Sequence, residues 1–184
     1  MTQVEQLAMV QEKGINPVTG EIYLFGHAGA ANNLLTNFTW LDRAGGPQAG
    51  ANIILHLSNF DLSWATAKVM YDVIRRSDKH VTAINYGDLG ASSCLLFSAA
   101  DTRIMLPHAL FSLPNFSEVT SVVLRMYVDL LAGEEYFSAR PPQEIEQWLV
   151  YNGGKSFASE EAVKYGLAEN IIGVDGFKWQ HVFN

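Results

Sequence analysis

Apolar residues recur along this chain at two spacings, one typical of helices and the other typical of strands. The clearest helical spacing lies in residues 63–76, where two arginines close the predicted last turn. The same criterion predicts helices over residues 32–43, 92–100 and 118–132, a helix that begins within 139–144, and a short helix from 159. We expect Ser117 and Ser159 to cap the helices that follow them. One face of the helix at 118–132 carries Val119, Val122, Val123, Met126 and Leu130.

Short apolar runs between these helices predict strands. They are residues 21–27, 52–57, 80–86, 102–106, 110–113 and 170–174. Strands that alternate with helices indicate βαβ units, so we predict an α/β fold with a mostly parallel sheet covered on both faces. Residues 1–20 are polar and predict an N-terminal arm, residues 44–51 predict a glycine-rich turn, and residues 21–184 predict a single domain.

Composition narrows the classes of function. The 184 residues carry a net charge of −7, which argues against nucleic acid as a partner. Mean hydropathy is +0.06, no apolar run is long enough to span a bilayer, and the start lacks a signal-peptide pattern, so we expect no membrane partner. One cysteine, Cys94, excludes an internal disulfide and favours a cytoplasmic location. We expect no cofactor and no metal, because the histidines lack metal-ligand spacing: they include His27, His56, His80 and His181.

Three stretches of the chain resemble the proteolytic subunit of the Clp protease, a member of the ClpP/crotonase superfamily. They are residues 57–74 (LSNFDLSWATAKVMYDVI), 87–107 (GDLGASSCLLFSAADTRIMLP) and 159–172 (SEEAVKYGLAENII). The run SAAD is also similar to signal peptide peptidases of the SppA type, and ADTRI is similar to crotonases. The resemblance implies a ClpP/crotonase-like fold of repeated ββα and βαβ units with a covered, mostly parallel sheet.

The resemblance also implies where a serine peptidase would carry its catalytic groups. The nucleophile falls on Ala91, which has no hydroxyl. The base falls on Ser112, or on Pro114 when counted forward from Pro107, and neither accepts a proton as a histidine does. The acid falls on Gly154, or on Asn152 if a gap is placed differently.

Two residues replace the glycines whose amides would hold an oxyanion: the resemblance puts Asp61 and Leu62 there. A carboxylate at Asp61 would repel a developing oxyanion by roughly several kcal/mol at ~4 Å. Its position just before a helix also fits an N-cap. Because nucleophile, base, acid and glycine turn are all replaced, we predict a catalytically silent protein that serves as an assembly or peptide-binding subunit.

Clp family members form stacked rings, so the resemblance implies a homo-oligomer, or a mixed ring with a related active subunit, and peptide as a ligand. The segment after Pro114 is shorter than the handle that joins two Clp rings, which favours a single ring, or a trimer or hexamer as in crotonases. The aromatic tail, residues 176–184, is expected to cover a groove or to pack on a neighbouring subunit.

Two enzymatic alternatives stay open. In the first, Ser92 is a displaced peptidase nucleophile with His108 as its base. The competing interpretation is that Ser92 only caps the start of its helix and that His108 is an ordinary exposed histidine. In the second, the chain is a crotonase-like enzyme of acyl-CoA thioesters, in which the amides of residues 91–93 would supply one of the two oxyanion donors. No glutamate stands at the crotonase acid position. Cys94 is predicted to be a small buried residue of the packed helix.

Overall fold

The computed structural model describes residues 3–26, 31–44 and 52–182, so His27 and residues 45–51 of the predicted glycine-rich turn lie outside the described residues. The strands are β1 (Ile15–Asn16), β2 (Glu21–Phe25), β3 (Asn52–Ser58), β4 (His80–Asn85), β5 (Thr102–Met105), β6 (Leu110–Ser112), β7 (Ser156–Ala158) and β8 (Asn170–Ile171). The helices are α1 (Gln3–Lys13), α2 (Ala31–Ala44), α3 (Trp64–Arg75), α4 (Ala91–Ser98), α5 (Ser121–Leu131), α6 (Pro142–Asn152) and α7 (Ser159–Lys164).

The main sheet has the strand order β1-β2-β3-β4-β5-β8. Neighbours from β2 onward are parallel, whereas β1 pairs with β2 in the antiparallel sense at one edge. The strands β6 and β7 form a separate antiparallel pair. The predicted α/β fold with a mostly parallel sheet is therefore confirmed.

Alternate residues of the central strands belong to two different apolar clusters, because successive side chains of a strand point to opposite faces. Leu55 lies in the larger cluster, to which the helices α3, α4 and α5 contribute. On the opposite face Ile54 packs with Ile84, Ile104 and Val182 near the C-terminus. We call this the second face of the sheet, and it is covered by the end of the chain rather than by one of the seven labelled helices.

The predicted N-terminal arm contributes to the sheet. Residues 3–20 form α1 and the edge strand β1, in which Ile15 is buried. The side-chain amide of Asn37 in α2 donates a hydrogen bond of 2.8 Å to the carbonyl of Lys13, which joins the arm to the domain. The division between arm and domain at residue 20 stays a prediction.

Helices α3 and α4 lie where the sequence predicts them, to within two residues at each end. The Ser63 hydroxyl caps α3 by accepting a hydrogen bond of 3.1 Å from the Thr66 amide. In α4 every residue from 92 to 98 is buried, as its uniformly apolar pattern predicts.

The beginning of α5 and the burial of Val122 were predicted wrongly, whereas the other residues of the predicted face belong to the larger apolar cluster or pack against it: Val119, Val123, Met126 and Leu130. The helix starts at Ser121 rather than at residue 118, with Thr120 as its N-cap. Ser117 does not cap it, because its hydroxyl donates to the side chain of Asn115 in the preceding turn (2.8 Å). The buried residues are Val123, Tyr127 and Leu131, whereas Val122 is 56% exposed.

Ser159 was also assigned a wrong role. It is the first residue of α7, and Ala158 is the N-cap. The Ser159 hydroxyl instead lies 2.6 Å from the carbonyl oxygen of Leu106 and 3.0 Å from that of Ala109. It therefore fixes the turn between β5 and β6, a long-range contact that local helix signals do not reveal.

Candidate functional site

The candidate site lies where the loops after β3 and β4 run side by side. A parallel bridge joins Phe60 to Leu89, and the Gly90 amide donates to the Phe60 carbonyl (3.2 Å). Helix α4 starts immediately afterwards, with Gly90 as N-cap and Ala91 as its first residue. This edge carries the carboxyl ends of parallel strands, which is where α/β proteins usually bind ligands.

The Asp61 carboxylate lies at this helix start. It accepts hydrogen bonds from its neighbouring Leu62 amide (2.9 Å) and from the Ser92 hydroxyl (2.5 Å). Asp61 does not cap α3, as the sequence suggested, because Ser63 holds that position. The dipole at the start of α4 favours negative charge nearby, and Asp61 supplies it, with the Leu62 amide and the Ser92 hydroxyl as its hydrogen-bond donors.

Gly90 makes room for this carboxylate. A Cβ atom added at Gly90 would lie 2.4 Å from Asp61 Oδ1 and 2.5 Å from Asp61 Cγ, closer than atoms approach in folded proteins. Gly90 has an ordinary backbone conformation, with φ of −60°. The glycine is therefore needed for space rather than for conformational freedom.

Ser92 is buried, and Asp61 and Leu62 surround its hydroxyl. Its Oγ lies 2.6 Å from the Leu62 carbonyl oxygen and accepts a longer hydrogen bond, 3.2 Å, from the Leu62 amide. Within the described part of the chain, no histidine forms a hydrogen bond with Ser92. His108, its proposed base, is exposed in the turn between β5 and β6.

The positions assigned to base and acid come together in space. Ser112 ends β6 and its hydroxyl is 2.9 Å from that of Ser156 in β7. The Gly154 amide donates a hydrogen bond to the carbonyl of Pro114 (3.1 Å). The side-chain amide of Asn152 donates one to the Trp148 carbonyl. These groups offer hydroxyls and backbone amides, but no imidazole or carboxylate.

Cys94, a residue of α4, connects this helix to β6. The Ser112 amide donates to the Cys94 sulfur at 3.2 Å, which places β6 beside the first turns of the helix. The thiol is completely buried, and burial raises its pKa to about 12. Such a thiol holds its proton at neutral pH and is a poor nucleophile, in agreement with the packing role predicted for it.

Sequence reasoning missed a polar chain on the second face. His56 is buried in β3, with its Nδ1 atom 2.8 Å from the Tyr86 hydroxyl and its Nε2 atom 3.4 Å from Glu21 Oε1. The ring of Tyr23 stacks on the imidazole at a centroid distance of 4.6 Å. A histidine in the apolar run of residues 52–57 was the available signal.

Neither a metal centre nor a membrane span emerges from the described residues. No group of three or more histidine, cysteine, aspartate or glutamate side chains among them could hold a metal ion. Within the same ranges, every helix is too short or too polar to cross a bilayer.

No protein-family model and no curated protein matches the sequence. Solved structures do match. A peptidase from Plasmodium falciparum is 16% identical, with a TM-score of 0.64 over 90% of this chain and 98% of that chain. The ClpP protease catalytic domain from Plasmodium falciparum is 16% identical, with a TM-score of 0.61 over 98% and 96%. This chain has a ClpP-like fold.

A third match supports the same fold. ClpP1 from Listeria monocytogenes is 18% identical and gives a TM-score of 0.60 over 88% of this chain and 95% of that chain. Identities this low define the ClpP-like fold without assigning an activity, since one fold carries many chemistries. The roles of Ala91, Ser112, Gly154, Asp61 and Leu62 as equivalents of ClpP catalytic positions therefore stay predictions.

Proposed function

We propose that the chain is a catalytically silent ClpP-like subunit that works by assembling with other subunits and by binding peptide. The observation that carries this proposal is the Asp61 carboxylate at the start of α4, hydrogen-bonded to Ser92 and to the Leu62 amide. An acyl-transfer enzyme needs free donors at the place where negative charge develops. Here the Asp61 carboxylate already accepts the hydrogen bond of one such donor, the Leu62 amide.

Charge supports the same conclusion. Asp61 is exposed, so a bound substrate would meet its carboxylate. Two negative charges ~4 Å apart near a protein surface repel each other by about 4 kcal/mol. Such a penalty would slow formation of a tetrahedral intermediate by about three orders of magnitude.

Within the described residues, Ser92 has no hydrogen bond to a histidine, the base that a serine peptidase uses. A serine becomes nucleophilic when a neighbouring base takes its proton during attack. The neighbours of the Ser92 hydroxyl are a carboxylate and a backbone carbonyl, and the side chain is 4% exposed. Burial and the missing imidazole both favour a structural hydroxyl.

Assembly is supported by apolar surface on the neighbouring helices α5 and α6. Val122 is 56% exposed, Val150 is 57% exposed and Tyr151 is 78% exposed. Exposed apolar side chains on two neighbouring helices are compatible with a surface that contacts other chains. The resemblance to Clp subunits implies association of this kind, either with copies of the chain or with a related active subunit.

Catalytic silence is tested with the purified protein, a fluorophosphonate probe and fluorogenic peptides. We expect no labelled serine and no cleavage above the rate in buffer. Labelling that disappears in Ser92→Ala and persists in Ser121→Ala, an exposed helix-start control, would establish the displaced-nucleophile alternative. Turnover of an acyl-CoA thioester would favour the crotonase-like alternative. Either result overturns the proposal of a silent subunit.

Assembly is tested by light scattering on the same protein. We expect a mass that is a multiple of the chain mass of 20.3 kDa. A monomer at all concentrations would contradict a homo-oligomer. A larger species that forms only after a related active ClpP-like subunit is added would favour the mixed ring instead.

A further inference from the structure

The last described residues of the chain lie across the second face. Residues 177–182, which we call the C-terminal strap, include a short 3-10 turn from Trp179 to His181. Val182 is buried against Ile54, Ile84 and Ile104, a row that crosses three neighbouring strands. The strap therefore shares in keeping these isoleucines from water, together with Tyr86, Leu106 and Ile172, which pack against the same cluster.

Among the described residues, only side-chain packing holds the strap on the sheet. The hydrogen bonds of the described strap residues stay between residues 173 and 182, for example from the Phe177 amide to the Val174 carbonyl and from the Val182 amide to the Trp179 carbonyl. The last backbone hydrogen bond from this end of the chain to the sheet leaves Ile172. Segments held by few apolar contacts open without global unfolding.

The connection into the strap is suited to such an opening. Gly173, Asp175 and Gly176 have φ angles of 84°, 48° and 79°. Side chains rarely adopt this left-handed conformation, so Asp175 is held there against its preference. A Cβ atom added at either glycine would meet no described atom within 4 Å, so the side of this turn on which such a side chain would stand faces open space.

Tyr86 is the contact between the strap and the polar chain below it. The ring of Trp179 stacks on that of Tyr86 at 5.8 Å, and the Tyr86 hydroxyl is hydrogen-bonded to His56 Nδ1 at 2.8 Å. The other imidazole nitrogen faces Glu21 at 3.4 Å. His56 therefore fixes the ring on which the strap rests.

The polar chain continues into the N-terminal arm. Glu21 accepts hydrogen bonds from the Thr19 hydroxyl and from the Asn16 side-chain amide (3.3 Å). Asn16 in turn accepts one from Gln6 in α1 (2.7 Å). Side chains near the two ends of the chain are thus connected through His56.

We propose that the C-terminal strap is a releasable cover of the second face, and that the hydrogen bond between His56 and Tyr86 is its latch. In the closed state the row of Ile54, Ile84 and Ile104 is hidden. In the open state this row becomes an apolar surface across three strands. The proposal is independent of the catalytic silence and the assembly proposed above, since it concerns the opposite face of the sheet.

The test is hydrogen exchange by mass spectrometry on the full chain and on Tyr86→Phe. This variant keeps the ring under Trp179 and removes only the latch hydroxyl. We expect peptides that cover residues 177–182 to exchange about three- to tenfold faster in the variant, as the loss of one hydrogen bond predicts. Peptides from β4 should keep their rate. Tyr151→Phe removes a hydroxyl from an exposed tyrosine and should change neither region.

A second measurement follows the uncovered isoleucines. Binding of the apolar dye ANS should rise in Tyr86→Phe and rise further in Trp179→Ala, while Trp40→Ala, which removes a similarly exposed tryptophan of α2, should leave it unchanged. The proposal is overturned if strap and β4 peptides exchange at one common rate, since the strap would then open only with the whole molecule. It is equally overturned if Tyr86→Phe leaves both the strap rate and dye binding unchanged.

Discussion

At the scale of single residues, Asp61 and Gly90 act as a pair. The carboxylate lies at the start of α4 only because residue 90 has no side chain. Neither residue explains the arrangement alone, since a longer side chain at 90 would push the carboxylate away from the Ser92 hydroxyl. The pair therefore couples the loop after β3 to the loop after β4.

We expect Gly90→Ala to reduce the free energy of unfolding by about 1 kcal/mol, because the new methyl group displaces Asp61 from Ser92. In the double variant Asp61→Gly/Gly90→Ala the carboxylate is absent. Its loss of unfolding free energy should therefore be smaller than the sum of the losses in the two single variants. Urea unfolding of the four proteins measures this coupling. Gly133→Ala is the control, because its added Cβ meets only the Leu130 carbonyl oxygen at 3.8 Å. A Gly90→Ala variant as stable as the control would refute the arrangement.

Glu21 predicts a dependence of stability on acid. The contact with His56 is the largest influence on this carboxyl and, with a smaller contribution from Thr19, lowers its pKa to about 2 against the opposing effect of burial. A carboxyl with a lowered folded-state pKa stabilises the protein above the pKa of the unfolded chain, about 4.3. That stabilisation is lost as the pH falls from there towards 2.

We therefore expect Glu21→Gln to lose less stability than the wild type between pH 5.5 and pH 3, by about 1 kcal/mol. Urea unfolding at the two pH values measures the difference. Glu135→Gln removes an exposed glutamate and should follow the wild type. An equal loss in Glu21→Gln and the wild type would show that His56 does not stabilise this carboxylate.

At the scale of elements, Arg103 connects β5 to two later segments. Its guanidinium donates to Glu134 in the turn after α5 (2.6 Å) and to Glu169 before β8 (2.7 Å from Nε). The side chain is 5% exposed, so these two carboxylates stabilise a positive charge that is largely removed from water. A single residue thus fixes the position of the edge strand and of the helix that precedes α6.

Replacing this side chain by an apolar one of similar length should be costly. We expect Arg103→Met to lose about 2–4 kcal/mol of unfolding free energy, since two partly buried carboxylates lose their counter-charge. The unfolding free energy of Arg103→Lys should lie between those of the wild type and Arg103→Met, because lysine keeps the positive charge but lacks the planar guanidinium group. Arg76→Met, at an exposed arginine, should stay within about 0.5 kcal/mol of the wild type in the same denaturation experiment.

The elements also show what a sequence can predict. Strands such as β3 and β4 and helices such as α3 follow from periodicity, which is a local property, and the structure confirms them. The start of α5 does not follow from periodicity. The Ser117 hydroxyl donates a hydrogen bond to the Asn115 side chain, so it is not available to cap the helix. Ser159 was misassigned because its hydroxyl bonds to residues about 50 positions away.

The candidate site was predictable to the same extent. Sequence resemblance leads to residues 61, 62 and 91, and the structure brings Asp61 and Leu62 into contact with Ser92, the neighbour of Ala91. The requirement for Gly90 could not be foreseen, since it arises from two loops that meet only in the folded chain. The chain from Glu21 to Tyr86 likewise depends on the alignment of β2, β3 and β4.

At the scale of the whole molecule, different kinds of segment cover the two faces of the sheet. Helices cover one face and leave exposed apolar residues on α5 and α6, whereas the C-terminal strap covers the other. If α5 and α6 contact a second subunit, an added charge there should weaken association without unfolding the chain.

We expect Val122→Asp to lower the mass measured by light scattering to that of a smaller species, because burying an unpaired carboxylate in an interface is unfavourable. Val69→Asp introduces the same charge on α3, where the valine is 49% exposed, and should leave the mass unchanged. Circular dichroism of both variants establishes that they are folded. An unchanged mass for Val122→Asp would place the contact elsewhere.

The burial of Cys94 has a practical consequence. It is the one cysteine of the chain, it is completely buried, and its pKa of about 12 keeps it protonated. An alkylating reagent at neutral pH therefore modifies the thiol only in molecules that have opened to solvent. The alkylation rate is then set by the population of the opened state. The chain thus carries its own unfolding reporter, which can follow the variants above at low concentration without an attached label.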